Sequence, residues 1–340
     1  MVWLAELKRN DFPEGHLLAA ESEILYSMDD PARAERLATD SLRLNDQPIF
    51  RQYVSSQTAR ALAWTPSYSY ERDSQSRRSW LFDQTLDIGH TGPLKWALRE
   101  QHGEYLQNSV PTVVDNSAGL KLDFPFALYH RFTAEALAHF LSGTPRNSYS
   151  ALGTIQSSWT DSFSSRVQAG RSLYDTALAL ENNITSTYGD IAGFWHQKDD
   201  TWKANAEGRA ASLSDNNRRL TGWLEASRAV PDVEVVRVVA RVTYDDMKTP
   251  SPNYYSPNQL RLYGLGPELF FTSKGHVELD VHYLPSFVQE RGQKTGIYQN
   301  ADARLSARLL PELTVTPSYA YLSTPSYYES RFMMELEYRF

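Results

Sequence analysis

The residues with the most definite chemistry in this sequence are histidines and carboxylates spaced two apart. Polar and apolar residues alternate between positions 276 and 283, and the polar set is His276, Glu278, Asp280 and His282. A strand sends successive side chains to opposite faces, so these four share one face. Imidazoles and carboxylates are common metal ligands, so a metal site is one interpretation. The other is a hydrated wall that binds no ion. The sequence favours the wall, so we expect neither a metal nor a cofactor.

The same alternation recurs along most of the chain and predicts the charged inner face of a channel. The acids that we assign to this lumen-lining face are Asp83, Asp87, Glu135, Glu207, Glu225, Asp245, Glu278, Asp280, Asp302, Glu335 and Glu337. Basic residues of the same parity are slightly more numerous than the acids, so the predicted wall is close to neutral. Charge balance therefore does not identify what passes through.

Other chemistry leaves little trace in the sequence. There is no glycine-rich phosphate loop, no GxSxG elbow and no HExxH helix. Serines are many, but no spacing singles out a nucleophile, because a catalytic triad is recognised by geometry. We therefore expect no enzyme. The absence of cysteine excludes disulfides and thiol chemistry, and a net charge of −7 argues against nucleic acid as a partner.

The elements that position these charges are predicted to be β-strands. About sixteen period-two segments lie between residue 61 and residue 340. The last one ends on alternating apolar residues, namely Phe332, Met334, Leu336, Tyr338 and Phe340. An aromatic carboxyl-terminal residue on such a strand resembles the closing strand of bacterial outer-membrane β-barrels. Mean hydropathy is −0.50 and no apolar run reaches the length of a membrane helix, so a barrel is the membrane-spanning architecture that this composition allows.

Turn lengths predict which end of this barrel faces outward. Short turns rich in Gly, Pro and Asp alternate with longer interruptions, the longest predicted at 108–116 and 247–258. Outer-membrane barrels have short periplasmic turns and longer external loops, so both interruptions are predicted to be external. The second carries three prolines with Tyr254 and Tyr255, which we predict to be a gating loop. Residues 171–187 are ambiguous, because their alanines and leucines fit a helical turn as well as a strand.

Residues 1–60 are predicted to form helices, separate from the barrel domain at 61–340. Within them, 20–45 resembles a tetratricopeptide repeat, in which each unit is a pair of antiparallel helices. One repeat cannot bury its own apolar faces, and arrays need about three or more. Met1-Val-Trp-Leu also lacks the features of a secretory signal. We therefore expect the chain to be the carboxyl-terminal part of a longer protein.

A barrel behind tetratricopeptide-like helices resembles the outer-membrane exporters of biofilm exopolysaccharide, and most of all the PelB family of the Pel system. The resemblance covers the whole chain as architecture. It implies an exported polymer that is a partly deacetylated, cationic amino sugar. It also implies a periplasmic lipoprotein ring and a polysaccharide-modifying enzyme as partners. The near-neutral predicted lumen departs from what a cationic cargo would suggest.

Two other functions remain open at this stage. One is a general porin or solute channel, although porins lack periplasmic helices. The other is a barrel that serves mainly as the anchor of a protein-binding repeat scaffold. All three place the barrel in the bacterial outer membrane, surrounded by its lipids, with the helices in the periplasm.

Overall fold

The period-two segments form strands that pair with their neighbours along the chain. In the computed structural model, the described residues run from 62 to 339, except for 92–93, 128–129, 143–146, 199, 274–276, 311 and 325–326. Four isolated residues before position 62 are also described, and all four are helical: Leu17, Leu18, Glu21 and Leu37. The predicted tetratricopeptide-like helices otherwise lie outside the described residues, as do His276 and Phe340.

Seventeen strands and one short helix make up the described fold. In chain order they are β1 (Ala63–Asp73), β2 (Arg78–Thr91), β3 (Leu94–Gln107), β4 (Val110–Ala127), β5 (His130–Leu141), β6 (Ser148–Thr160), β7 (Phe163–Leu173), α1 (Ala177–Glu181), β8 (Thr185–His196), β9 (Trp202–Leu213), β10 (Arg218–Val230), β11 (Val233–Met247), β12 (Leu260–Ser273), β13 (Val277–Tyr283), β14 (Ser286–Gln289), β15 (Gly296–Leu310), β16 (Leu313–Ser323) and β17 (Tyr328–Arg339).

The sheet closes on itself because the first strand pairs with the last. Every pairing is antiparallel, and β1 pairs with β2 on one side and with β17 on the other. Strands β13 and β14 share one position between β12 and β15, and they are separated at Leu284 and Pro285. Proline has no N–H to donate to the ladder, which accounts for the interruption. The result is a closed barrel of sixteen strand positions. The predicted antiparallel barrel of about sixteen strands is confirmed.

The outer face of the barrel is apolar. Large exposed side chains recur at every second position of the strands, among them Leu98, Ile155, Ile191, Leu224, Leu265 and Leu305. In water this much exposed apolar surface would be unfavourable, whereas lipid tails solvate it at no cost. The same pleat sends the intervening polar side chains to the inner face. Among the described residues, helices long and apolar enough to span a membrane do not occur.

The two ends of the barrel differ in how the strands are joined. At one end the connections are short, such as residues 161–162 between β6 and β7 and 231–232 between β10 and β11. We call this the short-turn end. At the other, which we call the loop end, residues 174–184 and 248–259 connect β7 to β8 and β11 to β12. The predicted alternation of short and long connections is therefore present.

The structure corrects one prediction about the loop end and decides another. The predicted interruption at 108–116 is wrong, because residues 108–109 form a turn and β4 begins at Val110. Its polar residues resemble a loop in sequence, but those of one parity face the inner side of the barrel. The ambiguous stretch at 171–187 contains α1, so the helical interpretation of Ala177–Leu180 is the right one.

Candidate functional site

The inner wall near the short-turn end is held by ion pairs between facing strands. Arg99 on β3 donates from Nε to Asp83 Oδ1 on β2 at 3.0 Å, and it also pairs with Glu135 on β5. Asp83 stands on the strand next to that of Arg99, and Glu135 stands two strands away on the other side, so one guanidinium bridges three strands of the wall. Directly facing opposite charges stabilise a sheet, and the fork of arginine suits two carboxylates at once.

Similar pairs connect most of the acids that the sequence assigned to the inner face. Their N–O distances are 2.5 Å for Lys95–Asp87, 2.8 Å for Arg166–Glu207, 2.8 Å for Arg241–Glu225, 2.7 Å for Arg219–Asp245, 3.3 Å for His282–Asp302 and 2.7 Å for Arg339–Glu337. The pairs leave a wall that is rich in charge but close to neutral. Such a surface stays hydrated and does not strongly select one sign of ion.

Three of the predicted lumen acids differ from the others. Glu278, Asp280 and Glu335 make no ion pair within the part of the chain that the structure describes. Asp280 Oδ1 is buried without a hydrogen-bond partner. No group of three or more His, Asp or Glu side chains among the described residues is close enough to hold a metal ion. The metal interpretation of this face therefore has no geometric support there, and His276 lies outside the described residues.

Polar side chains line a cavity along the wall formed by β1–β5 and β17. It has a volume of about 570 Å³, and Asp83, Asp87, Arg99, Glu135 and Glu337 are among the residues that border it. Six of its ten charged residues belong to the ion pairs described above, and Arg131 and Asp123 form a further pair. This part of the interior is therefore open and wet.

The loop end is closed on the inside by α1. Thr176 caps the helix by accepting a hydrogen bond from the Ala179 N–H, as N-cap threonines do. Leu180 is 1% exposed and packs in one cluster with Val113 on β4 and Leu141 on β5. A five-residue helix has little stability of its own, so burial of Leu180 against the barrel wall holds it in place.

The loop 248–259 packs on the other side of this helix. Its Tyr254 is 1% exposed, and the ring lies 4.5 Å from that of Tyr174, centroid to centroid. The Tyr254 hydroxyl donates to Asp215 Oδ2 at 2.6 Å and accepts from Asn217 Nδ2 at 3.0 Å. Thr176 Oγ1 donates to the Asn253 carbonyl at 2.5 Å. We call α1 and this loop together the plug.

Tyr255 extends the plug toward the opposite wall. Its ring is stacked on Tyr327 of the β16–β17 loop, with centroids 5.3 Å apart and planes 10° apart. A cavity of about 190 Å³ remains beside it, bordered by Tyr105, Tyr174, Tyr255, Tyr327 and charged residues of β1 and β17. The plug and the side chains around this cavity therefore occupy part of the barrel interior at the loop end.

Burial raises the pKa of the tyrosines in the plug and of those that stack on them. It raises the pKa of Tyr254 above its usual value, and the hydrogen bond to Asp215 raises it further. Burial likewise raises the pKa of Tyr174, Tyr255 and Tyr327. The hydroxyls thus remain protonated, and able to donate, over a wider pH range than free phenols.

Comparisons with known proteins agree with this fold. No protein-family model matches the chain, and no curated protein matches it. A solved structure described as a bacterial polysaccharide outer membrane secretin aligns with a TM-score of 0.66 at 12% identity, over 83% of this chain and 99% of that chain. Pseudomonas aeruginosa OccK5 (OpdH) aligns with a TM-score of 0.43 at 13% identity, over 82% and 98%. CdiB from Acinetobacter baumannii gives 0.48 at 9%, over 82% and 60%.

The first of these likenesses shows a shared barrel fold. Together with the apolar outer face and the closed sheet, it places the chain in the bacterial outer membrane. The predicted localisation is confirmed.

The sequence offered a helical turn at α1 as one of two interpretations, but it did not predict that α1 packs inside the barrel on wall residues such as Val113. Ala177, Ala179 and Leu180 form a short apolar run with no clear period, and Val113 falls inside a stretch that resembles a loop. The one available signal is Thr176 three residues before Ala179, a cap spacing that precedes the apolar run.

Proposed function

We propose that the chain is an outer-membrane channel that exports an exopolysaccharide from the periplasm to the cell surface. The observation that carries the proposal is a polar, charge-paired interior with a plug at one end, whose Tyr254 and Tyr255 stack on Tyr174 and Tyr327. Sugar rings stack on aromatic side chains, and hydrated charges do not retain a polymer. The structural likeness to a polysaccharide outer membrane secretin supports the same class of cargo.

The gating role of Tyr254 and Tyr255 is part of this proposal. An open sixteen-strand barrel admits small molecules freely, so an exporter at rest needs a closure. The hydrogen bonds of Tyr254 to Asp215 and Asn217 keep the loop folded inward. Arrival of the polymer at Tyr255 would then displace the loop toward the outside.

The finer identity of the cargo and partners follows from the resemblance to PelB-type exporters. We propose a cationic amino-sugar polymer, a periplasmic lipoprotein ring and a polysaccharide-modifying enzyme as partners of the whole protein. Among the described residues, the predicted lumen acids that make no ion pair, Glu278, Asp280 and Glu335, are groups that an amine could approach. Passage through a channel needs no catalysis, so the proposed function is transport.

A reversible lock tests the proposal. The chain has no cysteine, so cysteines introduced at Thr176 and Asn253 would be the only pair able to join α1 to the loop; the Thr176 hydroxyl lies 2.5 Å from the Asn253 backbone carbonyl oxygen, which brings the two residues together. With this pair oxidised, we expect polymer secretion by cells to stop, and reduction should restore it. Each single cysteine variant is the control, because it perturbs the same contact without a cross-link.

The same experiment separates the two alternatives. Secretion that continues with the plug locked would mean that the barrel is an anchor for a scaffold. A general porin would instead pass small sugars into liposomes with the plug closed by its native contacts, and swelling of liposomes measures that. Slow swelling of liposomes that contain the oxidised, locked barrel supports the exporter. So does fast swelling of liposomes that contain a plug-deleted variant.

A further inference from the structure

A serine, a histidine and an aspartate form a hydrogen-bonded chain on the inner wall near the loop end. Asp115 Oδ2 lies 2.8 Å from His139 Nδ1, and His139 Nε2 lies 2.8 Å from Ser150 Oγ. The three residues stand on the adjacent strands β4, β5 and β6, far apart in sequence. Their order, acid to imidazole to hydroxyl, is the one that nucleophilic hydrolases use.

The protonation of this chain follows from the partners. A carboxylate only accepts hydrogen bonds, so the proton of the neutral imidazole belongs on Nδ1, facing Asp115. Nε2 then carries a lone pair, and the Ser150 hydroxyl donates to it. The imidazole is thus placed to take the proton of Ser150, which is how a general base activates a serine.

Burial separates the roles of the three side chains. Asp115 is 6% exposed and His139 is 5% exposed, whereas Ser150 is partly exposed. The hydroxyl is therefore the member that a molecule in the channel can reach. Val113 and Leu141, two residues from Asp115 and His139 on the same face, lie under Leu180 of α1. The plug therefore covers the site from the loop end, and access is from the channel below.

A hydrogen-bond donor for a reaction intermediate is also present. Ser148 stands two residues before Ser150 on the same face and opposite His139 in register, and its Oγ is buried without a hydrogen-bond partner. A buried hydroxyl with nothing to bind is unfavourable in a purely structural network. It is suited to donate to the oxyanion that forms when Ser150 attacks a carbonyl.

We propose that Asp115, His139 and Ser150 form a catalytic triad that hydrolyses short-chain acyl esters, such as O-acetyl groups. Esters rather than amides fit a site with one side-chain oxyanion donor, because an alkoxide leaves more readily than an amide nitrogen. A short acyl group fits because Leu180 of α1 packs on Val113 and Leu141 directly beside the site. The ester is borne by a passing polymer if the proposed transport function holds, and otherwise by a free small ester.

The reaction has two balanced steps. Ser150 Oγ bonds to the acyl carbon while its proton moves to His139 Nε2; the bond from carbon to the alcohol oxygen then breaks, and the imidazolium gives its proton to that oxygen. In the second step a water attacks the acyl-serine and gives a proton to Nε2. The Oγ–acyl bond breaks and Oγ recovers the proton. The net change converts an ester and water into a carboxylic acid and an alcohol.

Two probes test the triad on the folded barrel in detergent. A fluorophosphonate should label Ser150, as located by peptide mass spectrometry, and p-nitrophenyl acetate should be hydrolysed. Ser150→Ala should abolish the label and lower hydrolysis by about 100-fold or more. Ser306→Ala is the matched control, since Ser306 is an inner-wall serine that accepts a hydrogen bond from Thr316 at 3.3 Å. It should leave both signals unchanged.

Asp115 is a positioning residue, and its test is kinetic. Asp115→Asn should lower kcat for p-nitrophenyl acetate while KM stays the same, because the imidazole loses the tautomer that accepts from Ser150. Folded wild-type barrel that takes no label at Ser150 would overturn the proposal, even if every variant misfolds. An acetylated polysaccharide is then added to the folded barrel. Release of acetate from it would assign the ester to the polymer, and hydrolysis of p-nitrophenyl acetate alone would assign it to a free small ester. None of these readouts depends on secretion, so transport and hydrolysis can fail separately.

Discussion

The two ends of the barrel are stabilised by different interactions. At the loop end, the described residues contain three buried apolar clusters inside the barrel, centred on Tyr254, Leu260 and Leu180. At the short-turn end the described inner wall consists of ion pairs, such as Lys95–Asp87 and Arg99–Asp83, around an open cavity. The comparison teaches that the strands alone do not close the channel. Apolar packing fills part of the interior at one end, and paired charges line the other.

Removing the plug loop should produce the largest effect. We expect replacement of residues 248–257 by a short Gly-Ser turn to raise single-channel conductance several-fold and to sensitise cells to bulky antibiotics, because Tyr254 and Tyr255 no longer cover the passage. Conductance in planar bilayers and antibiotic susceptibility measure this. Shortening the neighbouring loop only at 292–295 is the control, because it keeps the hydrogen bonds of Glu290 and Arg291 with Asn258. Equal conductance of both variants, at normal abundance, would mean that 248–259 does not close the channel.

Weakening the apolar seat of α1 should have the next largest effect. Leu180→Ala removes a side chain that is 1% exposed and should cost about 2–5 kcal/mol of plug docking, as large-to-small core substitutions do. Hydrogen exchange of residues 174–184 should accelerate while the strands stay protected. Leu178→Ala, on the less buried side of the same helix, is the control. Loss of protection across the strands would show that the plug and the barrel are one cooperative unit.

The hydrogen bonds of the Tyr254 hydroxyl can be removed while its aromatic ring is kept. Tyr254→Phe removes the hydrogen bonds that the hydroxyl makes with Asp215 and Asn217 and should cost about 1–3 kcal/mol of the closed state. Openings recorded in bilayers should become roughly tenfold more frequent. Tyr255→Phe is the matched control because Tyr255 acts through stacking on Tyr327. Equal opening frequencies in the two variants would show that the hydrogen bonds of Tyr254 do not keep the loop closed.

Alkaline pH should open the same contact in the wild-type chain. Burial and Asp215 raise the pKa of Tyr254 in the closed state above the value of 10.0 that an exposed tyrosine has. A raised pKa means that closure is fully stabilised below the ordinary value and is lost as the pH rises through the raised one. Openings should therefore increase at strongly alkaline pH. A transition that persists unchanged in Tyr254→Phe would assign it to the other plug tyrosines.

Substitutions in the ion pairs of the short-turn end should have the smallest effect on conductance. Arg99→Gln leaves Asp83 and Glu135 without their shared cation and should shift the channel toward cation selectivity, with conductance little changed. The reversal potential in a salt gradient measures the shift. Glu278→Gln, at an acid without an ion pair, should shift selectivity in the opposite direction. Identical shifts in the two variants would show that pairing does not govern the lumen charge.

The sequence was most informative where a local pattern determines structure. Alternation along 236–244 predicts a strand with one charged face, and β11 has that form. It was least informative where distant segments meet. The burial of Tyr254 depends on Asp215 and Tyr174, and no local period connects them. Ser150 likewise differs from other serines only through His139 and Asp115, which come from two neighbouring strands. Geometry of this kind arises only after the barrel closes.

The pairing of β1 with β17 has a consequence for assembly. Every other pairing joins strands that follow one another or nearly so, but this seam joins residues about 260 positions apart, as in the Arg331–Glu71 ion pair. Loop-closure entropy makes such a contact the slowest to form. Until the last strand docks, both β1 and its partner present open edges that can pair with other chains. The carboxyl-terminal strand is therefore the step on which correct insertion, rather than aggregation, depends.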